Sequence, residues 1–147
     1  MRVLGTKNKQ GKWGSRLIMW ALDEPISHVS LECNGLVFHS SINRGVHIQP
    51  LMQFLEENIV VEYVDVEFDW DRLLRTTSRN WKKKYDKASF LWLGIRALLK
   101  KIFGIKLKKA NLWNITGMYI CTEWVTKVID NKEDSDITPM QLIERLK

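Results

Sequence analysis

Cysteine is scarce in this chain. Cys33 and Cys121 are the only two, and they have neither a zinc-ligand spacing nor that of a small disulfide scaffold. A reducing compartment is therefore expected, with no metal and no cofactor. Long apolar runs are missing too: no stretch reaches the 18 or so uncharged apolar residues, roughly, that a spanning helix needs. The opening MRVLGTKNKQGKWGSR has no apolar core and no small-residue cleavage site, so no secretory signal is read there and a cytoplasmic location is expected. Gly and Pro are few, while 45% of the residues are hydrophobic and 27% charged, which argues against a disordered or fibrous chain. At 147 residues a single domain is expected, with roughly two-thirds of the unfolded surface buried.

What the chain does have is tryptophan and a concentrated positive charge. Seven Trp fit a core, an interface or a membrane-surface anchor, and the count alone does not choose. The net charge is +6 and uneven: residues 78–109 hold eleven Lys and Arg against the single acid Asp86, a net of +10 that leaves the rest at −4. An anionic partner would meet the protein there.

Periodicity supplies the elements. Residues 1–12 read as a mobile or loosely packed start. Trp13 to Leu22 has near-helical apolar spacing and ends before Asp23-Glu24-Pro25. His28 to Cys33 alternates, with His28, Ser30 and Glu32 on one side and Val29, Leu31 and Cys33 on the other, so it reads as a strand. Asn34-Gly35 is a two-residue hairpin signal; Leu36 to Ser40 returns, and Val46 to Ile48 follows as a third antiparallel strand. Leu51 to Glu57 reads as a short helix or turn, and Ile59 to Phe68 as the longest strand. Trp70 to Arg75 starts a helix, residues 78–87 read as loop or helix start, and Ala88 to Ile105 is helix-like with Gly104 as its stop. Residues 106–117 read as a connection within a basic, partly helical elaboration over 70–117. Tyr119 to Ile129 reads as a helix with Cys121 in its first turn, then a polar loop over 130–136. Thr138 caps a last helix with Pro139 at its first position.

A thiol becomes a nucleophile when its thiolate is favoured, as at a helix N-terminus, where unpaired N–H groups and the dipole are positive. Cys121 is placed for that. An imidazole that takes the proton adds more, and needs a partner to fix its tautomer. His28 and His39 fall on strands paired through Asn34-Gly35, a spacing that allows contact. Each residue also has a bland explanation: a lone Cys in an apolar helix is usually packing, and a lone His on a strand is usually structural. Cys33 is assigned to the core, and His47 reads as a strand or loop residue without a role.

Several segments resemble a known family in its own order. Ser15 to Trp20 followed by Ser27-His28-Val29-Ser30-Leu31 resembles the opening of the circularly permuted NlpC-like cysteine peptidases, in particular the YiiX-like group. Leu36 to Ser40 and Gly45 to Leu51 are similar to its next two strands, and Lys84-Tyr85-Asp86 to a Tyr-Asp pair before a helix. Tyr119 to Val125 resembles its Cys-Ser-Glu-Leu-Val segment, and Ile137 to Leu142 its closing Thr-Pro element. The resemblance covers about residues 15 to 143 and implies an α+β, permuted papain-like fold: an antiparallel sheet packed on the Cys121 helix, with the thiol facing His28. It implies Cys121 as nucleophile, His28 as base and His39 as orienting residue; Tyr119, close to Cys121 in sequence, is expected to line the substrate, with Tyr85 and Ser27. Many YiiX-like sequences carry Glu where His39 stands; the lecithin–retinol acyltransferase branch carries His.

The expected activity is cysteine-dependent hydrolysis of an amide, in a peptide or cell-wall peptide, through an acyl-enzyme. The alternatives are a lipid-directed acyltransferase, thioesterase or phospholipase, and a non-catalytic binding module. Residues 82–109 mix Lys and Arg with Trp81, Tyr85, Phe90, Trp92 and Phe103, a candidate face for an anionic membrane; a core-packed helix with a solvated outer face explains the same pattern. Nucleic acid is not expected, since no helix-turn-helix, zinc or RNP motif is present.

Overall fold

The computed structural model describes residues 1–104, 120–131 and 137–147. The described elements are β1 (Arg2–Asn8), α1 (Trp13–Leu22), β2 (His28–Cys33), β3 (Leu36–Ser41), β4 (Gly45–Pro50), α2 (Leu51–Glu57), β5 (Asn58–Asp65), α3 (Trp70–Asn80), α4 (Lys87–Phe103), α5 (Cys121–Asp130) and α6 (Pro139–Leu146). The five strands form one antiparallel sheet in the order β4-β3-β2-β1-β5. The chain is thus a mixed α and β fold built on that sheet.

The hairpin signal acts as expected. Asn34 and Gly35 both take positive φ, 50° and 78°, the type I′ geometry whose twist matches the paired strands, and Cys33 faces Leu36 across them. Thr138 accepts from the Gln141 N–H at 3.3 Å while Gln141 Oε1 accepts from the Thr138 N–H at 3.2 Å, a reciprocal cap that starts α6 at Pro139. Gly104, at φ 67°, ends α4.

The first residues correct the expectation of a loose start. Arg2–Asn8 is an interior strand, paired to β2 on one side and β5 on the other. Val3 and Leu4 are both buried although they point to opposite faces. A strand covered on both faces loses the alternation by which strands are recognised.

The sheet has a layer on each face. On one face Val29, Leu31 and Phe38 pack against Trp124, Val125 and Val128 of α5 and Leu142 of α6. Helix α5 is buried on nearly every side, from Cys121 through Thr126, as expected of a helix inside the core. On the other face Leu4 and Val37 meet Phe54 of α2.

The edge strand β4 is covered by the segment after α3. Val46 N–H donates to Lys83 O at 3.2 Å and Lys82 N–H donates to Val46 O at 2.9 Å, which pairs both backbone groups of Val46 on that edge. Gly45, at φ +65°, permits the close approach: a Cβ there would lie 1.8 Å from the Lys83 carbonyl oxygen. This strap leads directly into Tyr85. No described helix is long and apolar enough to cross a membrane.

Candidate active site

Three elements converge at the end of the sheet where β2 begins. Cys121 is the first residue of α5, and Ile120 precedes it in extended conformation. Ile120 has no side-chain acceptor, so the helix start is held from the other direction: Glu123 Oε2 accepts from the Ile120 N–H at 2.9 Å. Glu123 is buried and serves the helix end, as a first-turn acid does.

Cys121 is 6% exposed. Burial pushes it above its ordinary value, while hydrogen bonds from the backbone N–H groups of Val29, Thr122 and Cys121 and from the Tyr85 hydroxyl pull it down. Val29 directly follows His28, so the sulfur sits beside the His28–Val29 peptide. Burial, then the neighbouring Cys121 and Glu123, raises the Tyr85 hydroxyl well above its ordinary value. Tyr85 therefore remains an O–H donor toward the sulfur.

His28 and His39 meet as their hairpin allows: His28 Nε2 lies 3.1 Å from His39 Nδ1, with the rings edge to face at 5.3 Å. Burial, and secondarily His47, lowers His28 to about 4. Burial, then His28, His47 and Arg44, lowers His39 well below the usual imidazole range. Both rings are neutral near pH 7, the form in which His28 can accept a proton. For its Nδ1 to be the acceptor, its Nε2 must carry hydrogen and donate to His39 Nδ1. That tautomer, assigned from hydrogen bonding, puts the His39 proton on Nε2, which is buried without a hydrogen-bond partner among the described residues.

His47 belongs to this cluster, although its sequence context gave it no role. It lies opposite His39 in the β3–β4 register, with ring centroids 4.1 Å apart. Its Nδ1 is 2.9 Å from Gly45 O and must be the donor, since a carbonyl only accepts. The signal was available: counting pairs outward from the turn after Ser41 sets residue 39 against 47. Among the described residues, no group of three or more His, Cys, Asp or Glu is arranged to hold a metal ion.

Ser27 and Tyr85 lie beside these groups. Ser27 Oγ pairs with Ser15 Oγ at 2.6 Å. Both residues line two cavities: one, of about 140 Å³, reaches Cys121 and is almost wholly apolar; the other, of about 440 Å³, is mixed in polarity and holds His28, His39 and His47. The sulfur and the His28 ring share no hydrogen bond. Val29 packs toward α5, whereas the His28 ring lies with His39 against Phe54, on the face that Leu4 and Val37 share. The thiol therefore does not face His28, contrary to what the resemblance implies. Tyr119 lies outside the described residues, as do the connection over 106–117 and most of the 130–136 loop. Cys33 is in the core, as expected.

The neutral histidines make stability pH-dependent. Unfolded, His28 binds a proton below its ordinary value of 6.5; folded, only below about 4. Stability is fully present above pH 6.5 and falls as pH drops through that window, by on the order of 3 kcal/mol for His28. Urea midpoints at pH 7, 5.5 and 4.5 should decline in that order, and more shallowly in His28→Gln.

No family model, no curated protein and no solved structure matches this chain.

Proposed function

We propose that this protein is a cysteine-dependent hydrolase of circularly permuted papain-like arrangement, acting through a Cys121 acyl-enzyme. The observation that carries the reading is the thiol at the head of α5, ringed by the Val29, Cys121 and Thr122 N–H groups and the Tyr85 hydroxyl, with the neutral His28–His39 pair on the strand beside it. Helix-start N–H groups and a buried hydroxyl are what a developing oxyanion needs. A base paired to a second ring is what a nucleophile needs.

In the forward half-reaction Sγ bonds to the carbonyl carbon and its proton passes to His28 Nδ1. His39 fixes the ring and shares the positive charge. His28 then protonates the leaving nitrogen of an amide as the C–N bond breaks. Water gives its proton to His28 and attacks the thioester, and the acid leaves as the thiol is restored. The resting thiol and imidazole are both neutral, so proton transfer accompanies attack. The sulfur and the ring line separate cavities before substrate binds, so the proposed transfer requires the two to approach in the substrate complex, as catalytic hydrogen bonds often tighten only there.

An amide in a peptide is the bond first expected. Buried thiol and neutral histidines would also suit a binding module of the same fold, and one experiment separates the two. Incubation with p-nitrophenyl acetate should place an acetyl group on Cys121 that hydroxylamine removes, and none on Cys33, as read by peptide mass. A Cys121 that stays unacylated favours the binding module.

Surface features support anionic-membrane docking beside the site. Trp20, Ile102 and Phe103 are exposed beside Lys101, whose ammonium lies 5.0 Å from the Trp20 ring centroid. Apolar side chains with adjacent cations favour such an interface. Co-sedimentation with anionic but not neutral vesicles checks it.

A further inference from the structure

We propose that the acyl group Cys121 accepts carries an apolar chain of about six carbons, seated between α1 and α4, and that Gly94 sets the length of that chain. The proposal rests on the cysteine-hydrolase reading and names its substrate class. The cavity that reaches Cys121 is walled by Leu17 and Ala21 of α1, Ile95 and Leu98 of α4, and Ile120 and Ile137. Its lining is almost wholly apolar, so it offers nothing to the amides of a peptide, whose burial without partners is unfavourable. Its volume is about 140 Å³, and an apolar cavity of roughly 150 Å³ stays dry and takes a six-carbon hydrocarbon.

Gly94 is the residue that local structure does not explain. It stands inside α4, where glycine is a poor helix former. Its φ is not in the left-handed region, so the backbone does not require it. A Cβ there would meet nothing within 4 Å, so close packing does not require it either. Gly94 lines the cavity, so a long side chain in its place would enter that space. The polar end of the substrate faces the other cavity, where the buried His39 Nε2 lacks a partner and Arg44 lines the wall.

The test is a series of p-nitrophenyl esters from acetyl to decanoyl, with Cys121 acylation followed by mass and by release of p-nitrophenolate. The S–acyl bond forms as the C–O bond to the phenolate breaks, and the thiol proton passes to His28. Rates should rise by up to about fourfold per added methylene, the factor equivalent to about 0.8 kcal/mol of burial, and level off near hexanoyl. Gly94→Leu should lose at least about tenfold with hexanoyl and stay within about twofold with acetyl. A flat profile with chain length, or a Gly94→Leu loss equal for acetyl and hexanoyl, overturns the acyl-chain assignment and leaves the hydrolase reading standing. Failure of every ester to acylate Cys121 removes the hydrolase reading, and the chain assignment with it.

Discussion

His28→Ala is expected to slow acylation of Cys121 by about 10²- to 10⁴-fold, the usual contribution of a positioned base. The same protein should fold as wild type does at pH 7. Burial keeps the thiol above its ordinary value, so without His28 the sulfur must lose its proton to solvent before it attacks. Cys121→Ser should leave no hydroxylamine-sensitive adduct. His39→Ala is expected to cost less, because in the proposed mechanism His39 acts through the His28 ring, which it meets at 3.1 Å. His39→Gln should recover part of the loss by offering His28 an acceptor again. A binding module would show none of this ordering. Acylation rates across the four variants, taken with circular dichroism to confirm folding, check the prediction.

Gly45→Ala should be the most disruptive alanine substitution among the described glycines. The added Cβ would lie 1.8 Å from the Lys83 carbonyl oxygen at a residue with φ +65°. The left-handed conformation and the overlap together should cost about 3 kcal/mol. The physical outcome is separation of the Lys82–Lys83 strap from β4, because Val46 bonds that strap through both its N–H and its carbonyl. Tyr85 follows the strap by two residues, so its hydroxyl should leave the sulfur. Gly45→Ala should therefore lower the urea midpoint and slow Cys121 acylation together, while Tyr85→Phe slows acylation with little loss of stability. Denaturant unfolding beside acylation kinetics distinguishes the two effects.

The parts of this fold that were legible in the sequence are the local ones. Asn34-Gly35 announced the β2–β3 turn because type I′ geometry needs positive φ at both positions. Thr138-Pro139 announced α6, and the apolar spacing from Trp13 to Leu22 announced α1, with the bounds observed. Where pairing is distant in sequence, the signal failed. Arg2–Asn8 joins the sheet only by bonding to segments that begin at residues 28 and 58, and burial of both faces erased its alternation. Gly5 added to the disguise; it is glycine because a Cβ would lie 2.9 Å from Ile26, a contact no local pattern records.

The site shows the same division. His28 and His39 were legible as a pair through their hairpin, and Cys121 as the head of a helix. His47 was legible only through register, and no motif surrounds it. The role of Tyr85 at the sulfur depends on a strap held by backbone bonds to β4, so composition gave no hint of it beyond the family resemblance. Residues 70–103 gave their helices but not their use: α3 leads into the strap, and α4 forms one wall of the apolar cavity.

The most direct test of the central claim is the rate of Cys121 alkylation by iodoacetamide between pH 4 and pH 9, in wild type and in His28→Ala. If His28 is the base for this thiol, the wild-type rate should be nearly level from about pH 5 to 8 and fall as pH approaches the His28 value of about 4. In His28→Ala it should climb about tenfold per pH unit, following the thiolate alone. Identical slopes in the two proteins, rising together to pH 9, would contradict the account and leave Cys121 an ordinary buried thiol.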